Sequence, residues 1–120
     1  MPKTIFVVDD NNMNLIVVKD ALKDRYRVMT VLSADKMFSL LEKLTPDLIL
    51  LDILMPEMDG YEAVKLLKSS SAHANIPVIF LTSTLDDSIK EHGRQLGVLD
   101  FVLKPFEKDE LLEKIERGLG

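Results

Sequence analysis

The sequence predicts a doubly wound α/β fold, a five-stranded parallel sheet with helices on both faces. Three observations predict it. Four short apolar runs, at 5–8, 48–51, 78–81 and 101–103, do not alternate with polar residues, and continuous hydrophobicity is expected of strands covered on both faces. The segments between them place apolar residues at helical spacing. Strand-like and helix-like segments take turns along all 120 residues, as a βαβ succession with right-handed crossovers requires.

In chain order, the run at 5–8 gives the first strand, and Leu15, Val18 and Leu22 share one face of the helix after it. Val28, Thr30 and Val31 supply β-branched residues for a strand at 27–31, whose polar content suits a sheet edge. Ser33 is positioned as the N-cap of a helix carrying Ala34, Met37, Leu41 and Leu44. The third strand follows at 48–51, and after Gly60 the spacing of Tyr61, Val64 and Leu67 predicts the next helix. Residues 69–75, rich in serine, read as a solvated loop before Pro77. The run at 78–81 is the fourth strand. A helix at 86–95 is the weakest, because its stripe is only Leu85, Ile89 and Leu96, and Gly93 costs a helix interior about 1 kcal/mol relative to alanine. The strand at 101–103 and a helix bearing Leu112, Ile115 and Leu119 after the acidic turn of Asp109 and Glu110 complete the set.

Composition bounds the function. The length suits one domain over 1–120. With 47% hydrophobic and 29% charged residues the chain has a globular profile. A net charge of -5 argues against direct nucleic-acid contact or a basic membrane-binding face. Absence of cysteine excludes disulfides and thiolate metal sites. No signal peptide or membrane span is visible, so the expected location is the cytoplasm.

Chemistry collects where the apolar runs end. Asp9 and Asp10 end the first run, Asp52 the third in chain order, Thr82 and Ser83 the next, and Lys104 the last. Taken singly, each is often just a turn former, a cap or a surface group. Under the strand order 2-1-3-4-5, the flavodoxin-like arrangement, all of them reach one rim, where open parallel sheets bind ligands. Three carboxylates against one ammonium raise one another's pKa unless a cation intervenes. Hard oxygen donors with no nearby histidine or cysteine suit Mg2+, and Mn2+ is a plausible substitute. A carboxylate, a metal, a lysine and a hydroxyl together are what phosphoryl transfer requires. Asp52 is the expected nucleophile, Asp10 a direct metal ligand and Asp9 one acting through water.

The segments Val7-Val8-Asp9-Asp10-Asn11, Pro46-Asp47-Leu48-Ile49-Leu50-Leu51-Asp52 with Met55-Pro56-Glu57-Met58-Asp59-Gly60, Pro77-Val78-Ile79-Phe80-Leu81-Thr82-Ser83 and Asp100-Phe101-Val102-Leu103-Lys104-Pro105-Phe106 resemble the receiver domains of two-component response regulators, typified by the bacterial chemotaxis regulator. The resemblance covers essentially the whole chain. It implies that Asp52 accepts a phosphoryl group from a histidine kinase or phosphotransfer protein, with the domain itself catalysing only its own phosphorylation and dephosphorylation. It further implies metal ligation by Asp9, Asp10, Asp52 and the backbone carbonyl of Leu54, phosphoryl contacts from Thr82 and Lys104, a cis Lys104-Pro105 bond, and a downstream output protein or domain as partner. The expected state is a monomer or weak dimer. Phe101 falls at the aromatic switch position, often tyrosine in relatives, and lacks the hydroxyl. The expected switch moves Thr82 toward the phosphoryl group and Phe101 into the vacated space, altering the surface of helix four, strand five and helix five. Leu54 and Thr84 flank the expected path of the hydrolytic water.

Three other classes fit less well. An aspartyl-phosphate phosphohydrolase would carry a second aspartate two positions after its nucleophile, where Leu54 stands. A flavin or nucleotide binder would carry a glycine-rich loop after the first strand, where Asp9-Asp10-Asn11-Asn12 stands instead. A receiver-like interaction module that takes no phosphate would not need the full residue set. His73 and His92 read as exposed or structural side chains.

Overall fold

Successive side chains of a strand point to opposite faces, so a strand apolar at every position needs a cover on both sides. The computed structural model, which describes residues 2–120, meets that need. Its elements are β1 (Thr4–Val8), α1 (Asn12–Leu22), β2 (Arg27–Val31), α2 (Ala34–Leu41), β3 (Leu48–Asp52), α3 (Gly60–Lys68), β4 (Val78–Thr82), α4 (Asp87–Leu96), β5 (Asp100–Leu103) and α5 (Lys108–Leu119). The strands are parallel, in the order β2-β1-β3-β4-β5. Ile5, Val7, Leu48, Leu50, Ile79 and Leu81 pack with Leu15 and Val18 of α1 and Leu111 and Ile115 of α5. Phe6, Val8, Ile49, Leu51 and Phe80 pack with residues of α2 and α3, and Ile89 and Leu96 of α4 border the same cluster. The strand at 27–31 is an edge strand, as its polar content predicted, with Arg27 exposed.

Helix ends follow their caps. Asn11, Ser33, Asp59, Asp86 and Glu107 each accept from backbone N–H groups at the starts of α1 to α5. Two expectations shift. Leu44 lies beyond α2 rather than on it: the N–H groups of Glu42 and Lys43 bond three residues back, to Ser39 and Leu40, tightening the chain ahead of Pro46. Its side chain still borders the core. Residues 69–75 form turns rather than an open loop, held by His73 N and Ala74 N on Ser70 O and by Lys68 Nζ on Ala74 O at 3.0 Å.

The helix read as weakest has a firm end. Gly97 adopts a left-handed φ of 86°, and the N–H groups of Gly97 and Val98 bond to the carbonyls of Arg94 and Gly93, which closes the last turn. Gly93 also has a packing reason, since a Cβ there would lie 2.5 Å from Phe101 Cζ. The missing side chain lets α4 approach β5.

Gly60 does the same at the start of α3. Its N–H donates to Ile53 O at 2.7 Å, and a Cβ would fall 2.6 Å from the carbonyl oxygen of Asp52 and 2.9 Å from Ile53 Cα. Neither backbone atom can rotate away. Gly60→Ala is expected to lower unfolding free energy by about 1–3 kcal/mol, the usual cost of overpacking, measured by urea denaturation with circular dichroism.

Candidate functional site

Three of the four strand ladders continue one hydrogen bond beyond their paired residues, and these bonds carry the candidate residues to one rim. Asp9 N donates to Val31 O at 3.2 Å, Ile53 N to Leu81 O at 3.2 Å, and Lys104 N to Thr82 O at 2.7 Å. In register, Val8 pairs with Leu51, Asp52 with Leu81, and Thr82 with Leu103. Asp9, Asp10, Asp52, Leu54, Thr82, Ser83 and Lys104 therefore line a single cleft of about 200 Å³, together with Asn11 and Asn14. A larger groove, about 720 Å³, runs between α4, β5 and α5, lined by Leu85, Arg94, Val98, Phe101 and Lys114 among others, and shares no residue with the acidic cleft.

Lys104 is the hub of the cleft. Its Nζ lies 3.0 Å from Asp9 Oδ2 and 3.1 Å from Asp52 Oδ1, and both carboxylates are buried. Burial works against the lysine's charge, but the hydrogen bond to Asp9 and the charge and hydrogen bond of Asp52 outweigh it, holding the pKa above the usual lysine value. Asp52 moves the other way from most paired carboxylates. Burial first, then the charge of Asp9, push it up to about 7, and Lys104 only partly offsets them. One ammonium is not enough for this group of acids.

The donor set suits a divalent metal. Asp9, Asp10 and Asp52 each place one carboxylate oxygen within 4.8 Å of the others, with Asp10 exposed and the other two buried. All three are hard oxygen donors, and neither histidine lines the cleft. This chemistry fits Mg2+ with several retained waters. The side chain of Leu54 is 74% exposed at the mouth.

Thr82 lines the cleft with its hydroxyl engaged elsewhere: Oγ1 donates to Thr84 O at 2.7 Å and accepts from Thr84 N at 3.2 Å. Phe101 is half-buried, its ring 6.0 Å from that of Phe80 and against Gly93. Lys104-Pro105 is cis. His92 is exposed and stacks on Tyr61 with ring centroids 3.9 Å apart, a contact between α4 and α3. His73 is half-buried.

The reading of the sequence missed two contacts to Asp9. Asn11 N donates to Oδ1 at 2.9 Å, and Asn14 Nδ2 donates to Oδ2 at 3.1 Å. The available signal was the three-residue spacing of Asn11 and Asn14, which puts the second asparagine on the first-turn face above the cap.

The model of the response regulator receiver domain matches residues 5–116. A probable cyclic di-GMP phosphodiesterase of Vibrio cholerae is 38% identical over 102 residues, 85% of this chain but 23% of the relative's length. The polar-differentiation response regulator DivK of Brucella anthropi is 32% identical over 121 residues, covering 100% of this chain and 98% of its own. Among solved structures, the receiver domain of the sensor histidine kinase PA1611 of Pseudomonas aeruginosa, which has a magnesium ion coordinated in its active site cleft, superposes with a TM-score of 0.90 at 30% identity, covering 100% of this chain and 99% of that one.

The raised pKa of Asp52 has a stability consequence. A carboxyl with an ordinary value of 3.8 that titrates at about 7 when folded stabilises the fold while protonated. That contribution is full below pH 4 and is lost as the pH rises through 7. At pH 8 without metal, Asp52→Asn is expected to be more stable than the parent by about 1–2 kcal/mol, after discounting for solvent at the cleft mouth. The gap should close toward pH 4 in thermal melts with EDTA, and Mg2+ should stabilise the parent but not the variant.

Proposed function

The chain belongs to the family of response regulator receiver domains, and on that premise we propose that residues 1–120 act as one phosphorylation-dependent switch of a two-component system, with Asp52 as acceptor. The reading rests on one observation above all: a buried Asp52 bridged by Lys104 to Asp9, beside Asp10, in a cleft that also carries the Thr82 hydroxyl. The phosphoryl donor is a phosphohistidine on a sensor kinase or phosphotransfer protein. Lys104 holds Oδ1 of Asp52, which leaves Oδ2 to attack phosphorus as the phosphorus–nitrogen bond breaks and the electron pair returns to the donor imidazole.

Asp9, Asp10, Asp52 and the carbonyl of Leu54 would hold Mg2+, or Mn2+ in its place. When bound, the ion supplies positive charge that favours ionised Asp52 and offsets charge on the equatorial phosphoryl oxygens. Lys104 then exchanges its carboxylate partners for a phosphoryl oxygen, and Thr82 donates to another. The exposed Leu54 side chain and Thr84 stand where a hydrolytic water would enter. Self-phosphorylation and dephosphorylation are the only reactions assigned to the chain, and its setting is the cytoplasm. No described helix is long and apolar enough to cross a membrane.

The output follows from Thr82 leaving Thr84. Its hydroxyl turns to the phosphoryl group, Phe101 moves inward from its seat on Gly93, and the groove between α4, β5 and α5 changes shape for a downstream protein or domain. α4 suits such motion because Gly93 is its one buried residue.

With Mg2+ and acetyl phosphate, the parent is expected to gain one phosphoryl group, mapped to Asp52 by borohydride reduction and peptide mass, and Asp52→Asn none. An adduct on any other residue contradicts the assignment. Beryllofluoride should alter amide exchange in α4 of the parent. In Thr82→Ala that response should largely vanish, and an undiminished response would remove Thr82 from the relay.

A further inference from the structure

We infer that Asn14 is a positioning residue of the cleft, whose side-chain amide holds Asp9 in place for the cation and lets Lys104 leave Asp9 when a phosphoryl group arrives. The inference rests on the proposed role of the cleft and deepens it. Asp9 is fully buried, and three donors meet its carboxylate. Oδ1 accepts from Asn11 N at 2.9 Å, while Oδ2 accepts from both Asn14 Nδ2 at 3.1 Å and Lys104 Nζ at 3.0 Å. An ionised carboxylate only accepts, so Asn14 can turn nothing but its NH2 group toward it.

These contacts divide the work. Asn11 is the N-cap of α1, with its side chain spent on Met13 N and Asn14 N, so its own N–H fixes Oδ1 through the backbone. Oδ2 has two partners of different kinds. Lys104 is shared with Asp52 and is the group that must move to the phosphoryl oxygens. Asn14 is neutral, sits on a capped helix and has no second partner to serve in the cleft. When Lys104 departs, the amide remains on Oδ2, and a buried acceptor is never left bare. Groups that orient a metal-site carboxylate in this way typically govern metal affinity by 10- to 100-fold. Asn14 is only half-buried, so its contact with Asp9, rather than core packing, is what a substitution removes.

The test titrates Mg2+ alone, with no phosphoryl donor, into the parent, Asn14→Leu and Asn14→Gln, following backbone amides by nuclear magnetic resonance. Asn14→Leu, close in size but without donors, should weaken Mg2+ binding by about 10-fold while its amide spectrum in EDTA stays dispersed. Asn14→Gln, whose amide can still reach Oδ2, should recover most of the affinity. Parent-like affinity in the leucine variant, or equal loss in both variants, overturns the inference. Should the leucine variant not fold, the parent still decides: the side-chain NH2 pair of Asn14 should shift during the titration with the same midpoint as the backbone N–H of Asn11, and an unmoved pair overturns the inference. A parent that binds no Mg2+ at all overturns the reading of the cleft itself, and so is told apart from a failure of Asn14 alone.

Discussion

The structure is organised around an unresolved charge. A parallel sheet brings the ends of β1 and β3 side by side, and this sequence puts Asp9, Asp10 and Asp52 there with Lys104 as the one cation among the cleft-lining residues. Lys104 can neutralise part of that charge only by standing between two carboxylates, which it does at 3.0 and 3.1 Å. Burial, and then the charge of Asp9 that Lys104 leaves unbalanced, displace Asp52 upward. Such an arrangement gains from any species that adds positive charge, so electrostatics alone makes the cleft favour a cation.

The fold was legible because its signal is redundant. Four strands carry unbroken apolar runs and four helices carry a clear stripe, so errors at single residues do not propagate. The rim was legible for the same reason: in a parallel sheet the carboxyl ends of neighbouring strands lie at one edge, which placed Asp9, Asp52, Thr82 and Lys104 together from the sequence alone. What stayed hidden depends on side-chain direction. Asn14 is an ordinary polar residue on a helix until its amide is seen to face Asp9. The end of α2 was misjudged because Leu44 packs on the core from a tightened turn just as it would from a helix. Burial alone does not distinguish the two.

Glycine was the residue read least well, because its meaning lies in its neighbours. Gly60 marked only where a helix follows, yet it lets the backbone of α3 press on the carbonyl of Asp52, tying the strand of Asp52 to that helix. Gly93 looked like a defect in α4. Its cost in helix propensity is small beside the close approach it permits between α4 and Phe101.

That approach also bears on the proposed switch role of Phe101. A phenolic hydroxyl could anchor an aromatic switch by a hydrogen bond at one end of its travel, but Phe101 has only shape and contact to distinguish its positions. Here the outer position is a seat made by an absent side chain, with Val98 and Phe101 closing on the same glycine and Phe80 at 6.0 Å on the inner side. In the proposed switch neither place offers Phe101 a polar anchor, so the preference between them would be set by whether Thr82 occupies the space between. The hydroxyl of Thr82 makes two hydrogen bonds to the backbone of Thr84, and moving it gives up two bonds that water can replace at the exposed Thr84. On the proposed switch, a change of charge at Asp52 in β3 would bias an aromatic ring two strands away, in β5.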